Sequence, residues 1–443
     1  MSEERIIELL ELHNYKLLKK ELETIHPIDL AEILENLEYK KLITVYRLLG
    51  KEDATDTFTY MNSDMQELLI NGLSDIEVKE VMDEMALDDT VDVLEEMPAD
   101  IVDRVLEVTD EETRNQINIF LNYPEDSAGS IMTVEYIALS KEMTVAEAIR
   151  KIRCVGIDKE TIYTCYVTDR RKLIGCVDVK DMLTSSDGKE IGEIMDENMI
   201  YAHTSDDQED VAKSIKKYGL LAIPIVDHEQ CMVGIVTVDD AMLVLQGETT
   251  EDISMMAAVS PSELSYFGTG VFRHARNRSM WLLILMLSST ITGMILTYYE
   301  SALAAMPILV SFIPMLMGTS GNAGSQSATL IIRGLAVDEI CFRDLFKVIT
   351  KEFWISIIVG SFLAIANGIR VYVMYQDLYL AIAIGITLLG TIMLAKIIGS
   401  TLPLIAQKCH MDPALMAAPL ITTLVDAGSI LVYFAVVTRV FAI

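Results

Sequence analysis

Apolar and polar positions follow two different rules along this chain. Up to residue 272 apolar residues recur at helical or strand spacing among many charges. Beyond it, no Asp, Glu, Lys or Arg occurs from Ser279 to Tyr299, from Ser301 to Ile332 or from Phe353 to Ile369. A helix needs ~20 apolar residues to cross a bilayer. The pattern predicts spans at 279–299, 302–332, 353–375, 378–407 and 413–438, the second and fourth longer than needed and therefore tilted or broken. Residues 1–128 read as short acidic helices. Asp29–Leu37, Glu77–Met85 and Asp89–Met97 repeat one spacing of Leu, Val and Met. Helices this short bury their apolar stripes by stacking, which predicts a small superhelix. A second repeat occupies 131–245: Ile131-Met132-Thr133 and Ile194-Met195-Asp196 each precede a helical stretch, an apolar strand and a turn. Leu173–Asp181 and Met232–Asp240 then close the two copies. The fold expected is a multi-domain membrane protein: a helical superhelix at 1–128, two α+β copies at 129–187 and 188–246, a connecting helix at 247–272, and five helices within 273–443.

Charge sharpens this division. From residue 273 on, 11 Lys and Arg face 8 Asp and Glu, leaving 24 against 58 upstream, so the parts carry +3 and −34. An acidic surface of this kind repels nucleic acid and anionic headgroups and offers oxygen ligands to hard divalent cations; a merely solvated acidic domain has the same composition. The six cysteines form no Cys-x-x-Cys pair, which argues for reduced thiols rather than zinc sites or a disulfide framework. The charged opening Met-Ser-Glu-Glu-Arg lacks the apolar stretch of a cleaved signal peptide. Arg273, Arg276 and Arg278 precede the first span, Arg333, Arg343, Lys347 and Lys351 follow the second, and Lys408 follows the fourth, against Arg370 and Arg439 on the other side. This bias predicts a cytoplasmic N-terminus and an external C-terminus in the plasma membrane.

Asp426 is the most informative residue, because a carboxylate inside a span is costly and normally faces a cavity, a pore or a partner. Thr422, Asp426, Ser429 and Tyr433 form one polar stripe on the fifth span. Two readings fit: a pore lining, or a buried pair with Lys396, which otherwise snorkels to the interface. The second span carries the small polar run Gly318–Ser327 after Pro307 and Pro314, with Asn322 and Gln326 on one face. Five spans show no inverted repeat, which favours a channel over a carrier. A pore at the two-fold axis of a homodimer would bring two Asp426 carboxylates to one divalent ion. Upstream, Glu248, Glu251 and Asp252 share one helix face, as a solvated acidic face also would.

The repeat at 131–245 resembles a tandem pair of CBS domains. In the second copy Gly234-x-x-Thr237-x-x-Asp240 matches their nucleotide-binding pattern, so ATP held by Thr237 and Asp240 and helix capping by the same pair both fit. The order of domains, with Gly321–Arg333, Asp412-Pro413-Ala414 and Pro419–Asp426, resembles the MgtE family of magnesium channels from end to end. The resemblance implies that Asp426 recognises Mg2+ in the pore with Asn322 close by, Gly321 and Thr422 being counted with them. It further implies that intracellular Mg2+ binds among Asp88 or Asp89, Glu209, Asp240, Glu248, Glu251 and Asp252 and closes the pore. The chain departs from the family pattern at Ser320, Gly219 and Leu243, where a glycine and two acidic residues are usual. The partners implied are Mg2+, the lipid bilayer and a second copy of the chain, with no nucleic acid and no catalytic residue. The rival readings are a carrier coupling divalent cations to Na+ or H+, and a CBS-regulated transporter for which nucleotide is the main signal.

Overall fold

The computed structural model describes residues 3–260, 266, 269–337, 339–409, 411–416 and 418–442. Residues 261–265 and 267–268 of the expected connecting segment lie outside them. The chain forms two compact units, Met1–Glu248 and Thr249–Ile443.

The first unit opens with α1 (Glu3–Glu11), α2 (Tyr15–Leu22), α3 (Pro27–Glu35), α4 (Tyr39–Tyr46), α5 (Lys51–Thr59), α6 (Ser63–Gly72), α7 (Asp75–Glu84), α8 (Leu87–Glu95), α9 (Ala99–Val108) and α10 (Glu111–Phe120). Helices of this length are marginal alone, so packing stabilises them. Leu34, Leu42, Phe58, Leu69, Val91 and Val105 are buried in one core. Local chemistry sets the ends: Ser74 and Glu77 form a reciprocal capping box on α7. Glu77 also accepts from Arg47 Nε at 2.7 Å, which joins α7 to the end of α4.

Two copies of a three-stranded sheet follow. The first comprises β1 (Ala138–Leu139), α11 (Val145–Val155), β2 (Thr164–Asp169), β3 (Lys172–Asp178) and α12 (Val179–Thr184). The second comprises β4 (Ala202–His203), α13 (Gln208–Tyr218), β5 (Ala222–Val226), β6 (Met232–Thr237) and α14 (Val238–Met256). In each sheet the first strand runs parallel to the second, and the second antiparallel to the third. The leading segment of each copy pairs with the last strand of the other. Thr133 pairs with Ile235 of β6 through bonds of 2.8 and 2.9 Å, and Asp196 pairs with Cys176 of β3 at 2.8 and 3.0 Å. Gly175 and Gly234 permit this, since an added Cβ would lie 3.0 Å from the Asp196 carbonyl oxygen and 2.7 Å from that of Thr133.

The second unit holds α15 (Val271–Tyr298), α16 (Glu300–Ala305), α17 (Ile313–Ala336), α18 (Leu345–Tyr375), α19 (Leu378–Lys408) and α20 (Ala418–Phe441). Among the described residues, α15, α18, α19 and α20 contain windows long and apolar enough to cross a membrane. The polar run sits in α17, whose 24 residues give it sufficient length but which is not among those four. The second expected span is broken, as its length suggested: α16 ends at Ala305, a 3-10 turn runs over Pro307–Phe312, and α17 starts anew with Pro314 in its first turn. The fourth runs unbroken through Pro403 as α19.

The close contact in this unit is backbone on backbone. A Cβ on Gly399 of α19 would lie 2.2 Å from the Gly324 carbonyl oxygen of α17, and a Cβ on Gly324 would meet Ile421 and Val425 of α20 at 3.0 and 3.3 Å. Small residues let membrane helices approach this closely. Gly399→Val should therefore force α17 and α19 apart, costing about 1–3 kcal/mol as overpacking does. Thermal unfolding in detergent is expected to show the loss, and an unchanged midpoint would contradict the packing described.

Candidate ion sites

Asp426 lies on α20 opposite Gly321 of α17: a Cβ on Gly321 would be 3.9 Å from Asp426 Oδ1 and 3.3 Å from Thr422 Cγ2. Gly321, Thr422 and Asp426 thus meet where two helices cross, with Thr422 and Asp426 half-buried. Asn322 follows on the side of α17 that the chain leaves exposed, in line with Gly318 and Gln326. One helix therefore sets bare backbone opposite the carboxylate and carries two amide side chains on its exposed side.

The polar stripe on α20 divides its labour. Ser429 is buried and donates to Ser320 Oγ at 2.8 Å, which in turn donates to the Leu316 carbonyl oxygen at 2.7 Å. Tyr433 is buried too and donates to the Leu309 carbonyl oxygen at 2.9 Å. Ser429 and Tyr433 are engaged in bonds between helices, so the expected polar stripe is not a continuous pore lining. The unusual Ser320 is the partner that Ser429 needs.

Lys396 does not snorkel, nor does it pair with Asp426. It is 6% exposed, with its ammonium 3.5 Å from Glu352 Oε2 and donating to Ser327 Oγ at 3.1 Å. Among the described residues Asp426 has no ion-pair partner. Sequence reasoning missed Glu352 because it stands at the edge of an apolar stretch beside Lys351, where a solvated end is the usual reading.

In the first unit carboxylates converge. Asp88, Asp89 and Asp92 of α8 lie near Glu135 and Glu160 of the first sheet copy and Asp239 and Asp240 of α14. Burial, reinforced by Asp88, pushes both Asp89 and Asp92 up to about 7. Burial likewise takes Glu160 to about 7, with help from Asp88 and Asp239, and Asp240 to about 6 despite the bond it accepts from Thr237 Oγ1 at 2.5 Å. Asp88 is raised by burial and by Glu135, and its Oδ1 is buried without a hydrogen-bond partner. A buried, unpartnered carboxylate oxygen among mutually repelling acids fits a divalent cation or its water shell. Still, among the described residues no three carboxylates close into a metal cage.

Of the other expected ligands, Glu209 pairs with Lys213 at 2.8 Å, and Glu248 accepts from Gln208 Nε2 at 3.2 Å. Glu251 and Asp252 lie further along α14, past the division between the units. Asp92, Glu135, Glu160 and Asp239 join the group without having been expected. The spacing of Asp88, Asp89 and Asp92 on one helix was a usable signal; Glu135 and Glu160 arrive only through tertiary packing. Gly219 sits at a positive φ of 66° and caps α13, so its glycine has a backbone reason.

Three family models match the chain: "Divalent cation transporter" (MgtE) over residues 313–436, "MgtE intracellular N domain" over 25–126, and "CBS domain" over 128–188 and 191–247. The chain is 36% identical to a magnesium transporter MgtE of Thermus thermophilus, over 97% of its own length and 96% of the relative's. It is 31% identical to the Bacillus subtilis magnesium transporter MgtE, over 98% and 96%. Among solved structures, the cytosolic domain of an Mg2+ channel MgtE in complex with ATP matches with a TM-score of 0.52 and 34% identity, covering 54% of this chain and 98% of that one.

Raised carboxylate values make the first unit bind protons that its unfolded chain releases near pH ~4. Its stability contribution is therefore full below that range and falls as pH rises through about 7. In the full-length protein with chelator present, hydrogen-exchange protection of α8 should drop from pH ~5 to ~8. Saturating Mg2+, or Asp89→Asn with Asp92→Asn, should flatten that slope; a slope of the opposite sign would refute the clustering.

Proposed function

Since the chain belongs to the MgtE family, whose curated relatives are magnesium transporters, we propose that it is a Mg2+ channel in which Asp426 recognises the hydrated ion. The observation that carries this reading is an intramembrane carboxylate with no ion-pair partner among the described residues, set against the bare backbone at Gly321. Mg2+ sheds water reluctantly, so a site of one carboxylate with nearby carbonyl, hydroxyl and amide oxygens reads its water shell rather than stripping it. Charge and outer hydrogen bonds then select the ion.

The exposed line of Gly318, Asn322 and Gln326 on α17 favours a homodimer. Polar side chains at membrane depth need water or a partner, and a second copy across a two-fold axis supplies both a water-filled path and a second Asp426. The excess of Lys and Arg in alternate loops supports a cytoplasmic acidic unit and an external C-terminus.

For gating, two carboxylates ~4 Å apart repel by ~4 kcal/mol at an effective dielectric of ~20, and a divalent ion between them reverses the sign. High internal Mg2+ would therefore favour the compact arrangement of Asp88, Asp89, Asp92, Glu160 and Asp240 and close the pore, a two-state shift driven by a ligand that prefers one state. ATP enters as a second regulator because the solved relative holds it. At Thr237 and Asp240 a ribose would have to displace the existing bond between those side chains. The coupled carrier finds no supporting observation of its own.

Asp426→Asn removes the charge while keeping the shape. Mg2+ influx into proteoliposomes carrying the purified variant should fall to background, a loss of at least ~100-fold, with folding and dimer content unchanged; influx at the unmodified rate would overturn the assignment.

A further inference from the structure

Three helices of the membrane unit meet at a charge pair that the ion site does not use. Glu352 of α18 and Lys396 of α19 are each 6% exposed, 3.5 Å apart. Between them stands the fully buried Ser327 of α17, accepting from Lys396 at 3.1 Å and donating to Glu352 Oε2 at 2.8 Å. Desolvating such a pair typically outweighs its mutual attraction, and apolar residues of like size would stabilise a bundle as well or better. Stability alone is thus a poor reason for its presence.

Its position supplies a better one. Lys396 is twelve residues from the end of α19 at Lys408, about 18 Å of helix, and its head is held by Ser327 and Glu352. Ser327 is six residues beyond Gly321 on the same helix, so the ammonium is held about 9 Å along α17 from the level of Asp426. A bare positive charge at that distance in a low-dielectric bundle would oppose the passage of a divalent cation.

We propose that Glu352 is the built-in counter-ion that hides the buried charge of Lys396 from the cation path. Glu352, 3.5 Å from the ammonium and joined to it through Ser327, makes that charge electrically silent. The proposal rests on the reading of Asp426 and α17 as the ion path.

The sign of the effect separates this from a purely structural clamp. With purified full-length protein in bilayers and Mg2+ as the permeant ion, Glu352→Gln leaves Lys396 unscreened and should lower conductance by at least about tenfold. Lys396→Met leaves the site neutral or negative, and conductance should match or exceed that of the unmodified protein. Together, Glu352→Gln with Lys396→Met should restore conductance to within about threefold. Equal losses in the two single variants, reversed in the double, would reduce the pair to a structural clamp and overturn the proposal, as would a Glu352→Gln protein that conducts normally. If the single variants do not fold, the double decides: a folded double variant that has lost conductance about tenfold or more contradicts electrical silence. Asp426→Asn run alongside separates the failures. Conduction surviving it removes the premise, whereas conduction lost there but kept in Glu352→Gln removes only the counter-ion.

Discussion

The membrane unit depends on one steric fact: α17 and α19 touch backbone to backbone at Gly324 and Gly399. No side chain fits between them, so the two helices have a single closest approach, and α20 seals it with Ile421 and Val425. The polar run on α17 is placed by that crossing. One turn before Gly324 along α17, Gly321 comes opposite Asp426. On the other side, Ser327 comes within reach of Lys396. The order of small and polar residues in Gly321–Ser327 is thus a packing requirement and a chemical one at once. Glycine permits approach, and the polar residues between are presented in opposite directions.

The first unit lives under an electrostatic constraint instead. Its helices are too short to persist alone, and the packing that rescues them also buries Asp88, Asp89 and Asp92 beside the acids of the sheet copies. A fold that gathers like charges keeps itself compact only by taking up protons or cations. This gives an acidic composition a specific meaning: the repulsion is located where neutralising it can alter the arrangement of the helices.

Much of this was legible in the sequence because it obeys local rules. The superhelix follows from repeated apolar spacing, the α+β copies from their duplicated tripeptides, and the break before α17 from Pro307 and Pro314. Asp426 announces itself by its cost in an apolar helix. What stayed hidden depends on three-dimensional pairing. Glu352 looked like one more charge at a helix end, and Lys396 like a snorkelling side chain, because neither reading contains the other residue. Ser429 and Tyr433 shared the stripe of Asp426, yet period alone cannot tell a hydroxyl that bonds a neighbouring helix from one that faces water. Glu135 and Glu160 carry no signal at all until the first sheet copy packs against α8.

The exchange of leading segments between the two sheet copies has a structural corollary. Because Thr133 completes the edge of β6 and Asp196 completes that of β3, neither copy is a separable module. Excising one would strip its sister of a paired backbone edge and expose unmet amides and carbonyls. The tandem is therefore tied at two backbone edges, so a displacement of either half bears directly on the outer strand of the other.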